Sequence, residues 1–180
     1  MKFAEAQKKA VDLFETEAFI QRIKEEDATM LKHLPLLQKI NKNGFITVES
    51  QAGNRSKGKG YEIIERAYIT GFMKETDAEQ FIKNMAIHTD KNAVYVPVCN
   101  ETPPSLDIPL TITKQEDVRV TTHMSATLPK EAEAFFRKMA SLSKSEKVVF
   151  IFCWDPMWCR LASRRTGLFT EVLKVLSDSF

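Results

Sequence analysis

The sequence predicts a mixed α/β fold: a single mixed sheet of about five or six strands flanked by helices, with the N-terminal helices packed on it. Three observations lead there. From Phe45 onward, β-branched runs alternate with segments of helical period. The stretch Val148–Trp154 is apolar without interruption, the mark of a central strand covered on both faces. At 180 residues, 43% hydrophobic and 28% charged, the chain has an ordinary globular composition, and one α/β domain over 1–180 is the expected organisation.

The elements follow in order. Phe3, Ala6, Ala10, Leu13 and Phe14 recur at helical spacing, and Ile20 and Ile23 either continue that helix or begin another. Lys24 to Asp27 reads as a solvated junction. Leu34, Leu36, Leu37 and Ile40 form a short helix, with Pro35 in its first turn and Gly44 at its end. Phe45–Glu49 is β-rich, and Ser50 to Gly60 reads as a polar loop. Tyr61 to Met73 fits a helix or a strand, with helix favoured for its first half. Thr76 with Glu79 suggests a capping box at the start of the next helix. Ala93 to Val98 is a compact strand, and the three prolines within Asn100–Pro109 mark a loop. Leu110–Thr113 and Val118–Thr122 alternate like a hairpin across Lys114–Asp117. Leu128–Ser141 is helical, and Thr166 is placed to cap a last helix that buries Phe169, Val172, Leu173 and Leu176.

Net charge is +2, from 26 basic and 24 acidic side chains, which argues against a dedicated nucleic-acid binder without excluding a local basic patch. Three cysteines, Cys99, Cys153 and Cys159, form no disulfide framework and suggest a reducing, cytoplasmic setting. The histidines His33, His88 and His123 are far apart in sequence, so no metal site and no cofactor are expected. No apolar run is long enough for a membrane helix, and the N-terminus has no signal-peptide pattern.

Two segments carry chemistry. Gly53 to Gly60 holds three glycines with Arg55, Lys57 and Lys59. It nearly matches a phosphate-binding loop, but Gly60 stands where a magnesium-binding hydroxyl is needed. What remains is an anion-attracting loop, set against the plainer reading of a mobile basic one. Trp154 to Arg160 closes the apolar strand with Asp155 and Pro156, where proline should turn the chain out of the sheet. Asp155 is placed as a polar anchor or base, Trp158 as a stacking face and Arg160 as a planar fork for a carboxylate or phosphate. The plainer reading is that Asp155 caps the turn and pairs with Arg160. Cys159, close to Arg160, Arg164 and Arg165, could be an activated nucleophile only if His123 came near. Glu62 and Glu65 would share a face if Tyr61 began a helix.

Leu37 to Gly53, Glu65-Arg66-Ala67-Tyr68-Ile69-Thr70-Gly71-Phe72 and Asp155 to Arg160 together resemble three blocks of a bacterial family of small proteins with no assigned function. The resemblance implies a Ser-Gln-Pro-Gly turn after a strand and an Asp-Pro-x-aromatic-Gly-Arg turn near the end. Here Ala52 stands at the turn proline and Cys159 at the glycine. It singles out 50–53 and 155–160. If their strands are parallel neighbours, both turns meet at one sheet edge.

These readings converge on one working surface: Ser50, Gln51, Gly53, Arg66, Asp155, Trp158 and Arg160, with Arg55, Lys57 and Lys59 adding anion attraction. One function is a binding or assembly module for a protein partner or small anionic ligand, with nucleic acid a weaker fit and no membrane. The alternative is a small hydrolase or transferase with Asp155 as base and Arg66 or Arg160 as charge stabiliser. On either reading Asp155→Ala is expected to spare folding and damage function.

Overall fold

The computed structural model describes residues 1–88, 93–96, 98–99, 107–125 and 127–179. Its helices are α1 (Phe3–Leu13), α2 (Glu17–Asp27), α3 (Leu34–Lys42), α4 (Glu75–His88), α5 (Lys130–Met139) and α6 (Leu168–Ser179), with a 3-10 segment Ala28–His33 between α2 and α3. Its strands are β1 (Ile46–Ala52), β2 (Arg55–Gly58), β3 (Tyr61–Lys74), β4 (Ala93–Tyr95), β5 (Val98–Cys99), β6 (Asp107–Gln115), β7 (Val118–Ser125), β8 (Thr127–Leu128) and β9 (Val148–Trp158). The expected mixture of helices and one main sheet is what the chain forms.

The sheet is organised by β3. Its second half lies between β1 and β9, and its first half between β2 and β6; β4 extends the sheet beyond β9, and β7 beyond β6. Every pairing in this seven-stranded sheet is antiparallel; the only parallel pairing described is the short, separate one of β5 with β8. The helix favoured for the first half of 61–73 is therefore corrected to strand. A strand with both faces at least partly covered loses clean alternation, so Ile63, Ile64, Ala67 and Tyr68 imitate a helical stripe. The β-branched and aromatic residues of the segment carry the stronger signal.

The polar loop expected over 50–60 is also mostly strand. β1 runs through Ser50 and Gln51, and β2 continues the same register against β3 after a break at Gly53 and Asn54. Gly53 has φ +71°, and Gly60, at φ +82°, lies in the turn that joins β2 to β3. The hairpin across β6 and β7 is as expected. Residues 100–106 of the expected proline loop lie outside the described residues, and Asp107–Pro109 belong to β6.

Both faces of the sheet are covered near β9. On one, Ala67, Ile69 and Met73 of β3 with Ile151 and Cys153 of β9 pack on Leu37 and Ile40 of α3, Phe81 of α4, and Phe169 and Val172 of α6. On the other, Ile46, Phe72 and Phe150 meet Phe3 of α1 and Phe136 of α5. Phe136 stacks on Phe150 at 5.0 Å between centroids. Each fully buried phenylalanine contributes about 1.5–3 kcal/mol of transfer free energy. Asn41 fastens α3 to β1: its amide donates to the Leu37 carbonyl and Thr47 Oγ1, and its Oδ1 accepts from the Thr47 amide.

Two cap assignments change. α4 begins at Glu75, so Thr76 lies inside its first turn and donates to Asp77 Oδ1. α6 begins at Leu168, so Gly167 and not Thr166 directly precedes it, and the Phe169 and Thr170 amides donate to the Ala162 carbonyl. Lys24 to Asp27 end α2 and are not a junction. None of the described helices is long and apolar enough to cross a membrane.

Candidate functional site

β1 and β9 are both antiparallel to β3, so they run parallel to each other with β3 between them. They are not adjacent strands, yet both end over the middle of β3. Opposite Ala67, β9 inserts Asp155, Pro156 and Met157 before Trp158 regains register with Arg66. This wide bulge tolerates Pro156, which cannot donate to a ladder, so proline does not turn the chain out of the sheet. After Trp158 the chain crosses β3. The Cys159 amide donates to the Glu65 carbonyl at 2.8 Å, and the Ala162 amide to the Ala52 carbonyl at 2.8 Å. Residues 52–53 and 159–162 are thus in direct contact.

Asp155 sits under this crossing with no exposed surface. Its Oδ1 accepts from the Met157 amide at 2.9 Å, and its Oδ2 accepts from Arg160 Nε. One carboxylate therefore closes the bulge and anchors the crossing segment. The open anchor or base expected from the sequence is instead a buried ion pair, because a buried carboxylate is stable only when paired and hydrogen-bonded. Arg160 is correspondingly withdrawn, its side chain 11% exposed.

Arg66 is placed differently. Its guanidinium carbon lies 4.2 Å from the centroid of the Trp158 ring. Nη1 donates to the Pro109 carbonyl at 3.1 Å, while Nε is buried without a hydrogen-bond partner. No carboxylate among the described residues forms an ion pair with it. Burial pushes the Arg66 pKa down and the Asp155 charge pulls it back up, leaving a cation whose planar fork is incompletely satisfied. Gln51 braces this position, donating to the Arg66 carbonyl at 2.9 Å and to Thr111 Oγ1 at 3.2 Å. Two residues along β3, burial and then the charges of Glu49 and Glu65 raise Tyr68 to about 12.

Ser50 does not join this group. By strand alternation it faces away from Gln51. It lines a cavity of about 440 Å³ roofed by α2, among Phe14, Phe19, Ile23 and Leu34. Cys159 and His123 are not brought together by any contact among the described residues; His123 lies on β7 opposite Pro109.

The basic residues form a row of side chains and not a cradle of amides. The segment 55–58 pairs with β3 along its length, which corrects the phosphate-loop reading. Register sets Lys57, Glu62, Lys114 and Arg119 directly opposite one another across β2, β3, β6 and β7. Glu62 Oε1 meets Arg55 at 2.6 Å and Lys57 at 3.4 Å, and Oε2 meets Lys114 at 3.2 Å. Hydrogen bonds from Arg55 and then Lys114 hold Glu62 down at about 2. Lys59 lies in the exposed turn. Glu62 and Glu65 fall on opposite faces of β3, because the segment is a strand. Lys114 and Arg119 were absent from the sequence-derived surface; only the register of the β3–β6–β7 ladder adds them.

Compared with known families, residues 6–179 match one described as Domain of unknown function (DUF6919). A search of curated proteins finds no match.

Proposed function

The chain belongs to the DUF6919 family, and we propose that it is a binding module that recognises an anionic group at Arg66, beside Trp158. The observation that carries this reading is a half-buried guanidinium stacked on an indole, with a buried Nε lacking any acceptor. A buried donor left unmade costs about 1–3 kcal/mol. A carboxylate or phosphate that meets the accessible part of the fork would neutralise the charge that burial destabilises. The Asp155–Arg160 pair serves this site as a scaffold: it fixes the bulge that returns Trp158 to face Arg66. The cations around Glu62 add longer-range attraction.

The hydrolase or transferase alternative has less support, since both oxygens of Asp155 are committed to Met157 and Arg160. Calorimetric titration with inorganic phosphate and with citrate tests the binding reading. Saturable binding is expected, weakened by about tenfold or more in Arg66→Met, the loss of one charge-assisted contact. Equal binding by Arg66→Met and the unaltered protein would overturn it.

A further inference from the structure

The far edge of the sheet carries an unsatisfied arrangement of its own. β7 is eight residues long and, among the described residues, pairs only with β6. Among the described residues its outer side from Val118 to Thr122 therefore offers a row of backbone donors and acceptors of the kind that accepts an added strand. Its two faces differ. Val118 and Val120 point to one side and are 62% and 54% exposed. Tyr61 joins Val118 on that side through the register Val118, Gln115, Tyr61.

Arg119 points to the other side, directly opposite Lys114. Like charges in that position repel. The only carboxylate in the row, Glu62, is already shared by Arg55, Lys57 and Lys114. No carboxylate among the described residues pairs with Arg119. The row thus ends at the open edge in two adjacent cations. A second copy of this chain, added edge to edge, has no acidic residue within its own β7 to set beside Arg119 and would leave the repulsion in place. An acidic strand would relieve it.

We infer that the β7 edge takes up an extended acidic segment of a partner protein as an added strand, its carboxylates beside Arg119 and its alternate apolar side chains beside Val118 and Val120. Main-chain hydrogen bonds supply the affinity, and the alternation of acidic and apolar positions supplies the selectivity. This rests on the reading of the chain as a binding module, but not on the Arg66 site.

The test uses the full chain and a dye-labelled, N-acetylated octapeptide of alternating glutamate and valine, followed by fluorescence anisotropy. Saturable binding is expected, weakened by about tenfold or more in Arg119→Glu, abolished when alternate peptide amides are N-methylated, and unchanged in Arg66→Met. Hydrogen exchange should show new protection of β7 amides. The inference is overturned by no binding of the parent peptide, by equal binding of the N-methylated peptide, by an Arg119→Glu variant that binds as well, or by β7 protection that arises from self-association without peptide. Loss of peptide binding with phosphate binding intact sinks this inference alone; the reverse sinks only the Arg66 site.

Discussion

Gly53 and Arg160 are in backbone contact: a Cβ on Gly53 would stand 2.6 Å from the Arg160 carbonyl oxygen and 2.7 Å from the Ala67 amide nitrogen. Neither obstacle is a flexible side chain. The two turns, more than a hundred positions apart in sequence, are closed on each other over β3. That closure holds Arg66 and Trp158 in place.

Gly53→Ala should therefore be costly. It combines a left-handed φ of +71° with an overlap against two backbone segments. Together these amount to about 3 kcal/mol or more. Gly60→Ala is the matched comparison, since its φ is +82° but nothing lies within 4 Å of the added carbon. It should lose only about 1 kcal/mol. Urea denaturation of both variants reads the difference directly; equal losses would mean that the contact with Arg160 is not tight.

Cys159 adopts φ +61°, a conformation that favours glycine, at the position where the family resemblance implies glycine. Cys159→Gly keeps the amide that donates to Glu65 and should stabilise the fold by about 1 kcal/mol. A lower denaturation midpoint would show that the thiol contributes more than the strain costs.

The expectation that Asp155→Ala spares folding is reversed by the geometry. The substitution removes the carboxylate to which Arg160 Nε donates and leaves the Met157 amide without its side-chain acceptor. Breaking a buried ion pair by removing one partner costs about 3–5 kcal/mol. A variant that unfolds at an unchanged urea concentration would contradict this role.

His33 has no exposed surface, neither ring nitrogen has a partner, and Phe169 meets it edge-on at 5.9 Å. Burial first, and the Lys32 charge second, lower its pKa, against a smaller opposing effect of Asp27. The folded state therefore holds the ring neutral, while the unfolded chain binds a proton near pH 6.5. Stability from this group is complete above about pH 6.5 and is lost as pH falls from there through the lower folded value. Glu49 and Glu65 act in the opposite direction, since burial raises their pKa and protonation favours the folded state. The difference between the protein and His33→Leu isolates the histidine. The gap in denaturation midpoint should move in favour of His33→Leu between pH 7.5 and pH 5, about one unit above and about one and a half below the ordinary histidine value; a constant gap would refute the effect.

Much of the architecture could be read from local pattern. Pro35 and Gly44 bracket α3, the apolar run at 148–154 is an interior strand covered on both faces, and Phe169, Val172 and Leu176 of α6 face the core. The family of unassigned function is likewise borne out at that level. What escaped depends on register. Nothing local says that 61–74 is one strand, because both of its faces are at least partly covered and the alternation is erased. Once that segment is read as helix, Glu62 and Glu65 share a face, Lys57 belongs to a loop, and Arg119 has no neighbours. The family resemblance singles out 50–53 and 155–160 on the condition that their strands are neighbours; β3 lies between those strands, and the chain meets 52–53 by crossing it, while the split between Gln51 and Ser50 requires knowing which face each strand buries.

The Arg66 Nε–H resonance, assigned by its absence in Arg66→Lys, reports on the proposed binding site most directly. Titration with inorganic phosphate should shift it saturably, together with the indole signal of Trp158, at the concentration where calorimetry detects binding. If those two signals stay fixed while Arg55 and Arg119 drift without saturation, anion attraction belongs to the basic row alone, and Arg66 is a structural cation.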